Sequence, residues 1–187
     1  MTERHHGRGP ERAVGALVLA LALIAGARDL GIGLDNWDSY SPVSVGEPLP
    51  EFSTRLDDGS ALRPADLEGQ VTLLTFWATW CHACGLEMPI LAELEERYAD
   101  ESDFVILGIN RDGGTMRERR VLVEAYMRER ELGFAQVYDD GQLASAFGVE
   151  QIPYMVIVDR KGQIRHLHLG RTSERTLRKQ IDALLAE

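Results

Sequence analysis

The sequence predicts an α/β fold: a central mixed sheet flanked by helices, with an N-terminal hairpin and an inserted helix. Three patterns predict it. Two continuous apolar runs, one starting at Val71 and one spanning Phe104 to Asn110, read as strands buried on both faces. A helical period lies between them, so the two form a parallel pair with a right-handed crossover. Tyr154 to Val158 and Gln163 to Leu169 flank a turn at Asp159-Arg160-Lys161-Gly162 and read as an antiparallel hairpin.

Residues 1–12 are polar and basic, with Arg4, His5, His6, Arg8 and Arg12. An unbroken apolar segment runs from Ala13 to Ala27. It is long for a secretory hydrophobic segment and short for a membrane span of about 20 residues. Ala25-Gly26-Ala27 has the small-x-small form of a cleavage site, whereas Leu30-Gly31-Ile32-Gly33-Leu34 extends the apolar character past Arg28 and Asp29. Residues 13–34 therefore read as a signal anchor or a signal peptide, and the continuation favours the anchor. Basic residues ahead of the segment keep the N-terminus in the cytoplasm. Either reading therefore exports the cysteine-bearing domain, to the periplasm or the outer face of the cytoplasmic membrane.

Residues 35–50 are rich in Ser, Pro and Gly and have linker composition, with the linker proper at 35–45 and a folded domain at 46–187. Phe52 to Arg55 and Ser60 to Arg63, around Asp57-Asp58-Gly59, predict a short hairpin. Asp66 and Leu67 predict a helical turn leading into the Val71 strand. A helix then runs to about Tyr98 with Leu86, Ile90, Leu91 and Leu94 inward, bent by Pro89, which lacks an N–H. Thr115 to about Glu131 predicts the inserted helix, with Met116, Val121, Leu122, Val123, Ala125, Tyr126 and Met127 on its apolar face. Phe134 to Tyr138 predicts a short strand and Leu143 to Phe147 a short helix ended by Gly148. Thr172 or Ser173 caps a closing helix with Leu177, Ile181, Leu184 and Leu185 inward.

Composition narrows the function. The net charge is −10, and beyond residue 28 there are 16 basic against 28 acidic side chains, which is unsuited to nucleic acid. The only cysteines are Cys81 and Cys84, at the switch from strand to helix. A cysteine opening a helix faces unpaired N–H groups and the positive end of the helix dipole, which favour thiolate. A cysteine three residues on lies one turn along the same face, close enough to close a small disulfide ring. Structural zinc needs four ligands, and only His82, His166 and His168 could join the pair, so no metal site and no cofactor are expected. His166 and His168 alternate on one strand face and read as solvated strand residues rather than a metal pair.

Phe76-Trp77-Ala78-Thr79-Trp80-Cys81-His82-Ala83-Cys84, Pro89 and Ile152-Pro153 resemble the thioredoxin fold. Gly46-Glu47-Pro48 to Phe52, the hairpin, Glu87-Met88-Pro89 and the inserted helix resemble its exported branch, the TlpA, ResA and CcmG-like thiol-disulfide oxidoreductases. The match covers residues 45–187. The resemblance implies that Cys81 attacks and Cys84 resolves, and that Ile152-Pro153 is a cis bond beside the cysteines, where substrate backbone pairs. It also implies that Glu87, three residues after Cys84, handles protons at the pair. Thr75 stands where cytosolic thioredoxins carry a buried aspartate, which leaves Glu87 as its substitute. Trp80 covers the site and Trp77 packs in the core. His82 departs from the proline-containing centres of the family; its imidazole either tunes the potential or points into water.

The expected activity is thiol-disulfide exchange by an exported, membrane-tethered enzyme. Its partners would be protein disulfides, such as those of apocytochrome c or copper-site proteins, and a membrane electron donor. A Cu(I)-binding chaperone using the same cysteines, and a disulfide oxidase or isomerase, are the alternatives.

Overall fold

The computed structural model describes residues 43–187. The basic segment 1–12, the apolar segment 13–34 and the first part of the linker lie outside the described residues. Among the described residues no helix is long and apolar enough to cross a membrane.

A two-stranded hairpin comes first, β1 (Thr54–Arg55) and β2 (Ala61–Leu62), shorter than the sequence predicts. Residues 46–49, whose composition reads as linker, are tied to the sheet: Gly46 N–H donates to the Ile164 carbonyl (2.7 Å) and Ile164 N–H to that of Glu47 (2.8 Å). A 3-10 turn at Pro64–Leu67 comes next, opening two residues before Asp66, because Pro64 presets its first dihedral.

The main sheet has five strands in the order β5-β4-β3-β6-β7. They are β3 (Val71–Trp77), β4 (Phe104–Asn110), β5 (Ala135–Tyr138), β6 (Tyr154–Val158) and β7 (Ile164–Leu169). β3 pairs parallel with β4, in register from Val71–Phe104 to Trp77–Asn110, and antiparallel with β6. The sheet is therefore mixed, as predicted. All seven residues of β3 are buried, because helices cover both faces of this central strand.

Among the described residues five α-helices flank the sheet: α1 (His82–Gly85), α2 (Met88–Arg97), α3 (Met116–Glu129), α4 (Gln142–Ala146) and α5 (Glu174–Leu185). Alternation along β3 separates two apolar clusters. Leu73 and Trp77 pack with both cysteines, Met88, Leu91, Leu94, Leu177 and Ile181, while Leu74 and Phe76 pack with Leu107, Ile109, Phe147 and Ile164 on the other face.

Two predicted elements are corrected. The helix after the cysteines is two helices, broken at Leu86–Glu87. Glu87 N–H bonds the Cys84 carbonyl, three residues back, and Pro89, which has no N–H, occupies the first turn of α2. The inserted helix buries Arg119, Val123 and Met127, while Met116, Val121 and Leu122 are exposed. Its sequence-predicted apolar face included consecutive residues, which a period of 3.6 cannot place on one side. The Arg119 guanidinium is buried because it donates to the carbonyls of Asn110 (3.3 Å) and Asp139 (2.8 Å), tying α3 to the ends of β4 and β5.

Candidate active site

β3 delivers the chain to the C-terminal edge of its parallel strands, and the turn after it is held from the neighbouring strand. Asp112, just past β4, is almost fully buried. Its carboxylate accepts hydrogen bonds from Thr79 N–H (3.1 Å), Thr79 Oγ1 (2.9 Å) and Asn110 Nδ2 (2.7 Å). This clamp fixes the residue two before Cys81. Nothing in the sequence singled out Asp112. Its separation of 33 positions from Thr79 leaves no local signal, and an Asn-x-Asp after a buried strand reads as loop.

Cys81 and Cys84 form a disulfide. Cys81 caps α1: its Sγ accepts from Cys84 N–H at 3.1 Å. Cys81 retains 7% exposure and Cys84 none, so the first cysteine faces solvent more than the second. The predicted helix N-terminus is one turn, so the dipole available to Cys81 is that of a short helix.

Glu87 lies at the break between α1 and α2 and is 1% exposed. Its Oε1 accepts Thr172 N–H at 2.8 Å. Burial pushes its carboxyl up to about 7, against the smaller opposing pull of the Thr172 N–H and of Arg171. Thr75, in β3, is buried, and among the described residues its hydroxyl has no hydrogen-bond partner.

The remaining predicted residues fall around this turn. Ile152-Pro153 is cis, as the resemblance implied, and Pro153 is buried. Ile152 packs against the cluster that holds the cysteines, and neither its N–H nor its C=O is taken up by the hydrogen bonds that tie the loops. Trp80 is 69% exposed and His82 is exposed beside it. Trp77 is fully buried in the core, with its ring against Tyr126 of α3 at a centroid distance of 5.1 Å. His166 and His168 stack at 6.4 Å on β7, and His168 Nε2 bonds the Gln180 amide oxygen at 2.8 Å. Among the described residues no group of three or more His, Cys, Asp or Glu is placed to hold a metal ion.

A five-stranded mixed sheet that presents a Cys-x-x-Cys disulfide at the end of its central strand, beside a cis-proline, defines a thioredoxin-fold thiol-disulfide oxidoreductase. The sequence profile of the AhpC/TSA family matches residues 45–167, and the chain belongs to that family. Relatives are named as thioredoxin-like proteins or as thiol-disulfide oxidoreductases. The thioredoxin-like protein YneN of Bacillus subtilis is 28% identical over 158 residues, 81% of this chain and 91% of that one. The thiol-disulfide oxidoreductase ResA of Geobacillus thermodenitrificans is 27% identical over 175 residues, 93% of this chain and 97% of that one. Among solved structures, a thiol:disulfide interchange protein DsbE from Chlorobium tepidum superposes with a TM-score of 0.67 at 25% identity, covering 76% of this chain and 99% of that one.

Proposed function

We propose that the chain is an exported, membrane-tethered reductant of protein disulfides, working through a mixed disulfide on Cys81. The observation that carries the exchange mechanism is the Cys81–Cys84 disulfide with the buried Glu87 carboxyl at the end of its turn, whose proton affinity near neutrality matches a proton acceptor there. In the reduced enzyme the Cys81 thiolate attacks a substrate disulfide, forms an S–S bond to one substrate sulfur and releases the other as thiolate. Cys84 then gives its proton to Glu87 and attacks Cys81 Sγ, which releases the second substrate thiolate. Two electrons pass from the dithiol to the substrate, and the Cys81–Cys84 disulfide remains.

The difference in exposure supports the order of attack, because an incoming chain meets the more exposed cysteine first. Ile152, whose main-chain groups make no hydrogen bond among the described residues, and the exposed Trp80 supply a strand-pairing edge and an apolar contact for substrate. The basic residues 1–12 ahead of the apolar segment 13–34 support export and tethering at the inner membrane. An exported reductant needs a membrane thiol-disulfide donor to recycle it. Cysteine pairs of apocytochrome c or of copper-site proteins are the substrate class such a reductant serves.

Cys84→Ser tests the mechanism. With resolution blocked, a substrate adduct accumulates on Cys81, and Cys81→Ser forms none; an adduct that accumulates on Cys84 in Cys81→Ser, with none on Cys81 in Cys84→Ser, would overturn the assigned order.

A further inference from the structure

Between β7 and α5 the chain crosses the site as a short strap. Gly170 N–H donates to the Pro153 carbonyl at 2.8 Å. Two residues on, Thr172 N–H donates to Glu87 Oε1 at 2.8 Å. Ser173 Oγ then accepts Thr176 N–H at 3.2 Å and starts α5. Gly170 has φ +80°, the left-handed region where a side chain is strained, so the strap turns there from the end of β7 towards Glu87. Three consecutive attachments thus join the proline beside the cysteines, the buried carboxylate and a helix start.

The environment of Glu87 leaves few groups to control it. From the cysteine turn the titratable groups are Cys81, Cys84 and the exposed His82. From α5 the first-turn acid is Glu174, engaged by Arg178 at 3.2 Å. From the strap it is Arg171, an exposed cation held between two backbone anchors, Gly170 N–H on the Pro153 carbonyl and Thr172 N–H on Glu87 itself, so that its charge favours the ionised carboxylate. Thr172 N–H is the donor bonded to the carboxylate itself.

We infer that Arg171 and Thr172 are positioning residues for the exchange reaction: the Thr172 N–H fixes the orientation of the Glu87 carboxylate, and Arg171 supplies the positive field at it. The inference rests on Glu87 being the proton acceptor for Cys84. An exposed cation acts through solvent, so its effect is modest and salt-dependent, unlike that of a purely structural contact.

The test is the pH dependence of mixed-disulfide resolution in the full chain, from about pH 5 to about pH 9, using a peptide with one disulfide as substrate. Wild type should inflect near pH 7, where the buried Glu87 carboxyl ionises. Arg171→Gln keeps the inflection but moves it to higher pH, slowing resolution about two- to fivefold below the midpoint. Arg171→Lys restores the wild-type profile. The gap between wild type and Arg171→Gln closes as salt rises from about 0.01 M to about 1 M. If Glu87→Gln abolishes the inflection while Arg171→Gln superimposes on wild type, the strap inference falls and the role of Glu87 stands. If Glu87→Gln keeps the inflection, the role of Glu87 falls and the inference with it.

Discussion

The indole N–H of Trp77 donates to the side-chain oxygen of Gln136 at 3.0 Å, and the amide that receives it lies directly over Gly108. A Cβ at position 108 would stand 2.4 Å from both terminal atoms of Gln136. β4 therefore carries glycine so that a side chain of β5 can cross it to the core tryptophan of β3. Gly108→Ala must displace the amide and leave the buried indole N–H without a partner, a loss of about 1–3 kcal/mol. Urea denaturation of the oxidised protein measures it. Wild-type stability would mean that the amide has room to swing aside.

Asp112 carries a heavier load. Removing its carboxylate strands three donors at once, Thr79 N–H, Thr79 Oγ1 and Asn110 Nδ2, around an almost fully buried position. Asp112→Ala should destabilise the domain by about 2–4 kcal/mol, with Asp112→Asn in between because it keeps one acceptor oxygen. The Thr79–Trp80 turn also sets where Cys81 begins, so Asp112→Asn should slow attack on a disulfide peptide more than its stability loss explains. Equal attack rates in folded Asp112→Asn and wild type would restrict the clamp to a structural role.

How far the sequence reveals this arrangement depends on the range of the forces involved. β3, β4, β6 and β7 are legible because an unbroken apolar run bounded by polar turns admits few other placements, and the cysteine pair because its spacing carries its chemistry. The break at Glu87 is only half legible: Pro89 announces a bend, but the restart depends on how the turn at Cys84 closes. The face of α3 is misread because Val121 and Leu122 are apolar, whereas the buried stripe is anchored by an arginine that finds two carbonyls. Asp112, Gln136 and Thr172 act through bonds spanning 33, 59 and 85 positions, and no local pattern encodes those pairings.

His82 is the residue for which the sequence left two roles open. Its side chain is exposed, so solvent screens whatever it exerts on the adjacent sulfurs. His82→Ala should then move the equilibrium potential of the Cys81/Cys84 pair by less than about 30 mV, and the wild-type value should lie near thioredoxin's, at about −270 mV. Titration against dithiothreitol with thiol trapping reads both. A wild-type potential near −120 mV, falling sharply in His82→Ala, would mark a histidine-driven oxidant and reverse the proposed electron flow.

Glu87 links stability to pH with a definite sign. Its carboxyl is raised from 4.5 to about 7 by burial. Between those values the folded protein holds a proton that the unfolded chain has released, so stability falls as pH climbs from about 4.5 to about 7 and stays low above. Glu87→Gln cannot ionise, yet its amide oxygen can still accept the Thr172 N–H. On moving from about pH 5 to about pH 8, the oxidised variant should gain about 2–3 kcal/mol relative to wild type in paired denaturation curves. Comparing the two pH values cancels any constant cost of the amide. Curves that stay parallel would mean that the carboxylate reaches water when charged, and so lacks the raised proton affinity the proposed transfer from Cys84 requires. A stabilised variant that also resolves mixed disulfides slowly would show that the domain keeps a destabilising buried carboxylate for the reaction's sake.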